Sequence, residues 1–262
     1  MQSQLISLLL GIFSSTPTCQ WNAPPQILFQ GQHELHQVWE LDNSRELWDP
    51  ADPSRPLLSG FRTQIESRIP DLDARSIIRR MYLEFLASGD PAYLDEAVNP
   101  RLAFEGIAGA IRPISCLEAL LVEVQLQRQS MIEHPTEFGA LILRSPTDAK
   151  LRIYYSTQDV MGLRGIHPEI KERLDSDLSS EWVLWTHLHN HPFDFSNQVN
   201  FLGAPVPSLS DVHAYRSQKE ELGLQSARVT NGFDTIEISA EEFYRFRAHG
   251  DLTVNAHTPA QR

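Results

Sequence analysis

The chain has 262 residues, 41% of them hydrophobic, and carries a formal net charge of −12 with a pI near 5.2. That length and apolar content suffice for one large domain or two small ones and do not suggest a membrane protein. The acidic balance would repel a phosphate backbone, no basic stripe with interleaved aromatics is present, and nucleic acid is therefore not an expected partner.

Two cysteines, Cys19 and Cys116, imply no disulfide framework and leave the redox compartment open. The segment 1–19 contains the apolar run Leu5–Phe13 followed by small and polar residues, the length of a signal peptide. It lacks an early Lys or Arg and an A-x-A cleavage pattern, so an export signal and an ordinary N-terminal helix both stay open, and with them an exported or a cytoplasmic location. The run is too short to span a bilayer. From Trp21 to Phe61, Pro24, Pro25, Pro50, Pro53 and Pro56 predict a loop-rich segment, with His33 and His36 as ordinary polar positions. Ile77, Ile78, Met81, Tyr82, Phe85 and Leu86 recur at helical spacing between Asp73 and Ser88, and Asp90-Pro91 opens a second short helix with Asp90 as cap. Residues 20–112 thus read as a small helical N-terminal region with no catalytic constellation, preceding a domain over 113–262.

Ser115 starts a helix, with Glu118 three residues on and Leu117, Leu120, Leu121 and Val124 on one face. Leu141–Leu143 and Leu151–Tyr155 pair as strands across Ser145-Pro146-Thr147-Asp148, and His167–Leu178 is helical. Asp211–Leu222 is a helix stopped by Gly223. Ala227–Ile238 is a hairpin with a type I′ turn at Asn231-Gly232, and Ala240–Arg247 is a closing helix in which Glu241 and Glu242 are solvated. The order is mixed α and β.

The chemistry concentrates in Trp185–Asp211. Trp182, Val183, Leu184, Trp185 and Thr186 have the aromatic and β-branched character of a buried strand. Side chains alternate across a strand, so His187, His189 and His191 share one face, and neighbours in that row can bind one ion. A catalytic zinc takes about three protein ligands and leaves a position for water. Asp211, where a turn containing Ser208 and Ser210 gives way to a helix, is the natural third ligand. Upstream, Glu137 stands at the mouth of the apolar run Phe138–Leu143, an odd place for an acid unless it has a task.

A Glu opening a small apolar strand, then H-x-H-P, then S-x-x-D, resembles the pattern of the JAMM/MPN+ metalloprotease family, and the resemblance covers about the last 150 residues. It implies an MPN (JAB)-like, cytidine-deaminase-like α/β sheet flanked by helices. It also implies that Glu137 is the general base, His189, His191 and Asp211 hold Zn²⁺, and Ser208 supports the tetrahedral intermediate. His187 is either an orienting neighbour of the ligands or a strand-edge residue. The implied activity is zinc-dependent hydrolysis of peptide or isopeptide bonds, with a protein or peptide substrate, ubiquitin-like conjugates among them. The alternative is a catalytically inert MPN-like scaffold. Sixteen residues, Pro192–Pro207, separate His191 from Ser208, more than the family pattern uses. Within them Phe193, Phe195, Val199, Phe201 and Leu202 are too apolar for an idle loop and predict either a clamp beside the cleft or core filling. An amidohydrolase barrel, which also uses H-x-H, would need βα units for which 71 residues after His191 leave no room. The H-N-H spelling of His189-Asn190-His191 is read as coincidence.

Overall fold

A computed structural model describes residues 19–69, 71–160, 162, 165–196 and 203–251. The apolar run Leu5–Phe13, and Val199, Phe201 and Leu202 of the long segment, lie outside the described residues. The described chain builds one eight-stranded mixed sheet in the order β1-β2-β5-β4-β6-β7-β8-β3, with helices packed on it. Its strands are β1 (Gln26–Gln30), β2 (Leu35–Asp42), β3 (Ala110–Pro113), β4 (Phe138–Arg144), β5 (Lys150–Thr157), β6 (Val183–Asn190), β7 (Ser226–Thr230) and β8 (Asp234–Ser239). The longer helices are α1 (Pro56–Glu66), α2 (Ala74–Ser88), α5 (Cys116–Arg128), α6 (Pro168–Ser179) and α7 (Leu209–Leu222), and α3 (Pro91–Glu96) and α4 (Val98–Phe104) are short. No helix among the described residues is long and apolar enough to cross a membrane.

Local capping accounts for the helix starts. Asp73 accepts the Ser76 N–H, Asp90 accepts the Ala92 N–H ahead of Pro91, and Ser115 with Glu118 forms a reciprocal capping box. The centre of the sheet is antiparallel, β5-β4-β6, and β6 to β7 is its parallel pair, bridged by α7 as a crossover between them requires. One face of the sheet packs on α5 through Leu117, Leu121, Phe138, Ile142, Ile153 and Leu188. The other buries Leu141, Leu143, Leu184, Val229, Ile236 and Ile238 against the remaining helices.

The structure corrects several sequence expectations. The Trp21–Phe61 segment is not mainly loop, because β2 pairs along its whole length with β5 and carries Trp39 and Leu41 into the core. Its prolines precede β1, lie between β2 and α1 and open α1, and they spare the strands themselves. The sheet runs through the boundary expected at 112/113, since β1 and β2 lie at one edge and β3, paired to β8, at the other. Ala240–Arg247 forms consecutive turns, and Glu242 is not a solvated charge. It accepts the N–H groups of Gly109 and Ser239 and the Ser239 hydroxyl. The β7–β8 turn is not type I′ at Asn-Gly, because only Gly232 has positive φ, 94°, whereas Asn231 works through a side chain accepting the Phe233 and Asp234 N–H groups. Cys19 and Cys116 are joined in a disulfide spanning 97 residues, a cross-link the cysteine count did not reveal.

Candidate metal centre and its cleft

The register of the central strands places the site. Gly139 of β4 faces His189 of β6, and Glu137, two residues before Gly139, lines the same cleft as His189 and His191. Glu137, Gly139 and Leu141 therefore share a face with His187, His189 and His191. The hydrogen side chain of Gly139 leaves room for the imidazole across from it. β6 ends at Asn190, and His191 donates its N–H to the Thr230 carbonyl of β7, which keeps the second histidine aligned past the strand end.

Asp211 arrives from α7. Ser208 caps that helix in a reciprocal box. The Asp211 N–H donates to Ser208 Oγ at 3.1 Å, while Asp211 Oδ2 accepts the Ser208 N–H at 2.8 Å and its hydroxyl at 2.7 Å. Ser208 thus orients the carboxylate, and its hydroxyl is engaged there. Asp211 Oδ1 lies 3.5 Å from His189 Nε2, Asp211 Oδ2 lies 3.3 Å from His191 Nε2, and the two Nε2 atoms are 3.2 Å apart. The three residues offer a ligand set that could hold a metal ion.

The far ring nitrogens have partners of their own. His191 Nδ1 donates to the Ala204 carbonyl at 3.1 Å, which fixes the tautomer whose Nε2 lone pair points at the cluster. His189 Nδ1 lies 3.2 Å from the buried Tyr215 hydroxyl. His187 sits behind the pair, its Nδ1 2.9 Å from Gln218 Oε1 and its ring edge-on to His189.

Electrostatics follow from these contacts. Burial works against the charge of Asp211, but facing His189 and His191 hold it well below the ordinary carboxylate range. Burial likewise opposes a charged His191, yet the hydrogen bond and charge of Asp211 raise it from 6.5 to about 8. His187, with no carboxylate in contact, is pushed by burial down to about 4. Burial raises the Glu137 carboxyl above its usual range, with the nearby histidines pulling the other way.

Asn190 is the residue that sequence reasoning passed over. Between the two histidines its side chain points to the opposite face, is buried, accepts the Phe138 N–H at 2.6 Å and donates to the Thr136 carbonyl at 3.1 Å. It brackets Glu137 from both sides of its backbone. The Glu137 carbonyl accepts from Thr157 Oγ1 and its N–H donates to the Val160 carbonyl, so the glutamate is held in register with the cluster. The strand alternation that puts two histidines on one face was the available signal, since it forces the intervening residue toward the back of β4.

The cluster lies in a cleft of about 950 Å³. Val206, Pro207 and Ser208, at the end of the long segment, line it, whereas Phe193 is buried against Phe61, Phe233 and Gly203 in the core. For Phe193, core filling is the outcome. Phe195 is partly buried on the same core with Arg68 over its ring.

Glu34, His36 and His167 also bring ligand-type atoms together. His36 is wholly buried, a position the sequence reading took for an ordinary polar one. No family model, no curated protein and no solved structure matches the chain.

Proposed function

We propose that the protein is a zinc-dependent hydrolase of the JAMM type that cleaves peptide or isopeptide bonds. The observation that carries this reading is the convergence of His189 Nε2 and His191 Nε2, 3.2 Å apart, on the Asp211 carboxylate, whose Oδ1 lies 3.5 Å from the first and whose Oδ2 lies 3.3 Å from the second, with Glu137 lining the same cleft. Ligands about 2.0–2.1 Å from a tetrahedral ion lie about 3.3 Å apart, close to the separation of the two Nε2 atoms and of each from its nearer carboxylate oxygen, so His189, His191 and Asp211 would be the residues to hold a zinc ion. Two imidazoles and one carboxylate are the donor chemistry such an ion takes. A bound Zn²⁺ supplies Lewis acidity and makes water a nucleophile near neutral pH.

The chain's own groups then have defined work. The carboxyl of Glu137, raised by burial above its usual range, takes a proton as water adds to the substrate carbonyl carbon and returns it to the departing nitrogen as the C–N bond breaks. Ser208, at the α7 N-terminus, holds the Asp211 carboxylate through its N–H and hydroxyl, which makes it a positioning residue for the ligand set. Asn190 keeps Glu137 at its station. The inert scaffold reading would leave the elevated carboxyl at Glu137 and the oriented imidazoles without a use.

The test is metal analysis and peptidase assay of purified protein reconstituted with zinc. One zinc per chain and hydrolysis lost on chelation are expected. A protein that binds no zinc with His189, His191 and Asp211 intact sinks the reading.

A further inference from the structure

The cleft holds more than the metal cluster. Besides Glu137 and Asp211 its walls carry Asp90, Asp95 and Glu96, all from α3 or its cap, and no Lys or Arg occurs among the described residues lining it. A divalent ion on the three ligands answers two of these five negative charges. Arg247 answers Asp95, at 3.0 Å. Asp90 accepts the Ala92 N–H and Glu96 the Leu209 N–H, with His249 and His191 acting on Glu96 through charge and no Lys or Arg paired with either acid among the described residues. The same wall is apolar between its acids, with Met81, Phe85 and Tyr93, and Ile166 and Ile170 line the cleft as well.

A carboxylate set among apolar side chains in a partly enclosed space attracts a cation more strongly than it would in water. A ligand that satisfies both features has a hydrocarbon stem and a positive tip, as Lys and Arg side chains do. An acidic ligand would meet uncompensated repulsion.

We infer that the wall formed by Asp90 and Glu96 with Phe85 and Tyr93 selects a substrate bearing a cationic, long-stemmed side chain, Lys or Arg, near the bond to be cut. This rests on the reading of the cleft as a peptide-hydrolysing site, and it adds the charge class of the substrate. α3 lies upstream of the segment resembling the hydrolase family, so this selectivity belongs to the N-terminal hundred residues, for which the sequence offered no role.

The experiment uses full-length, zinc-loaded protein carrying Glu137→Gln and fluorescein-labelled peptides that are identical except for one residue, Lys, norleucine or Glu, moved through successive positions. Affinity is read by anisotropy. At one position the Lys peptide is expected to bind about tenfold more tightly than the norleucine peptide and the Glu peptide more weakly than either. The difference should shrink as salt rises from about 20 mM to about 500 mM. Adding Asp90→Asn and Glu96→Gln should reduce the Lys preference to less than about threefold; both amides keep an acceptor for the Ala92 and Leu209 N–H groups, and the zinc content reports an intact site. Equal affinity for Lys and norleucine, a preference for Glu, no binding up to about 1 mM, or a Lys preference untouched by the double substitution overturns the inference. The wild-type zinc protein is assayed for cleavage of the same peptides in parallel. Cleavage without charge preference overturns the selectivity alone, whereas Lys-selective binding without cleavage overturns the hydrolase reading alone.

Discussion

Among the described residues two groups gather two histidines and a carboxylate, yet they differ in how the paired imidazole rings are turned toward each other. In His189, His191 and Asp211 the outward ring nitrogens are held by Tyr215 and the Ala204 carbonyl, so both Nε2 atoms converge on a common point. In Glu34, His36 and His167 the outer ring nitrogens are engaged too, but the two rings are stacked, with centroids 4.1 Å apart and planes 25° from parallel. His36 has Ser156 Oγ at 2.8 Å on Nδ1 and Glu34 at 3.3 Å on Nε2, its ring stacks on His167, and His167 Nδ1 accepts the Glu169 N–H at the start of α6. Proximity alone therefore says little about metal binding. What separates the two sets is ring orientation: the planes of His189 and His191, 60° apart, let both in-plane lone pairs be aimed at one ion, whereas the stacked rings of His36 and His167 hold theirs in near-parallel planes.

The comparison can be broken most decisively by metal stoichiometry. His191→Ala or Asp211→Ala is expected to abolish tight zinc binding, while His36→Ala leaves one zinc per chain, as measured by elemental analysis after dialysis. Two equivalents in the wild type, falling to one in His36→Ala, would make the clusters alike after all. The next effect in size separates ligand from base. Glu137→Gln should retain a full equivalent of zinc and lose about 10²–10⁴-fold in turnover of a cleavable peptide. Retained turnover would remove Glu137 from the mechanism.

A finer test addresses the tied-back nitrogen. Tyr215→Phe removes only the hydroxyl facing His189 Nδ1 and should weaken zinc about 10–100-fold by competition with a chelator, with the fold unchanged by circular dichroism. Unaltered affinity would mean that the phenol does not orient the ligand. The smallest effect is on pH-dependent stability of the zinc-free protein. His191 is raised from 6.5 to about 8 in the folded state, so its contribution is full below 6.5 and is lost as pH rises through about 8. His187, lowered from 6.5 to about 4, acts in the other sense and costs stability as pH falls below 6.5. Thermal melts of the zinc-free chain should therefore peak near pH 6–7 and decline on both sides. With zinc bound the decline toward pH 8 should vanish, because the metal replaces the proton on His191.

What could be read from sequence was what depends on near neighbours. Asp90 and Ser115 announced their helices because a cap and the N–H groups it satisfies lie within three residues. The shared face of the histidines was visible for the same reason, being set by strand alternation, whereas Ser208 was singled out through the family resemblance and its capping of Asp211 emerged only from the structure. β2 was not, because it is stabilised by β5, more than a hundred residues away, and its run Leu35–Asp42 alternates too weakly to declare a strand amid prolines. Glu242 looked solvated because its partner Gly109 is equally distant in sequence. Asn190 was hidden in plain view. Its spelling within His-Asn-His drew attention to the histidines, and only the pairing of β6 with β4 reveals that its amide grips the chain around Glu137.

The two edges of the sheet constrain when the molecule can assemble. β1 and β2 need β5, β3 needs β8, and β8 is the last strand of the described chain, so the first hundred residues are made long before the strands that complete them. As the chain emerges in order from N to C terminus, α1 to α4 can coil early, but β3 stays without its partner until Asp234–Ser239 has been synthesised. A chain whose decisive pairings are this non-local pays loop-closure entropy before any contact returns it, and it folds late and slowly relative to a helical bundle of equal size. During that interval Leu35–Asp42, with Trp39 and Leu41, is an unpaired apolar edge, the segment through which a nascent chain would engage a chaperone or a neighbouring copy.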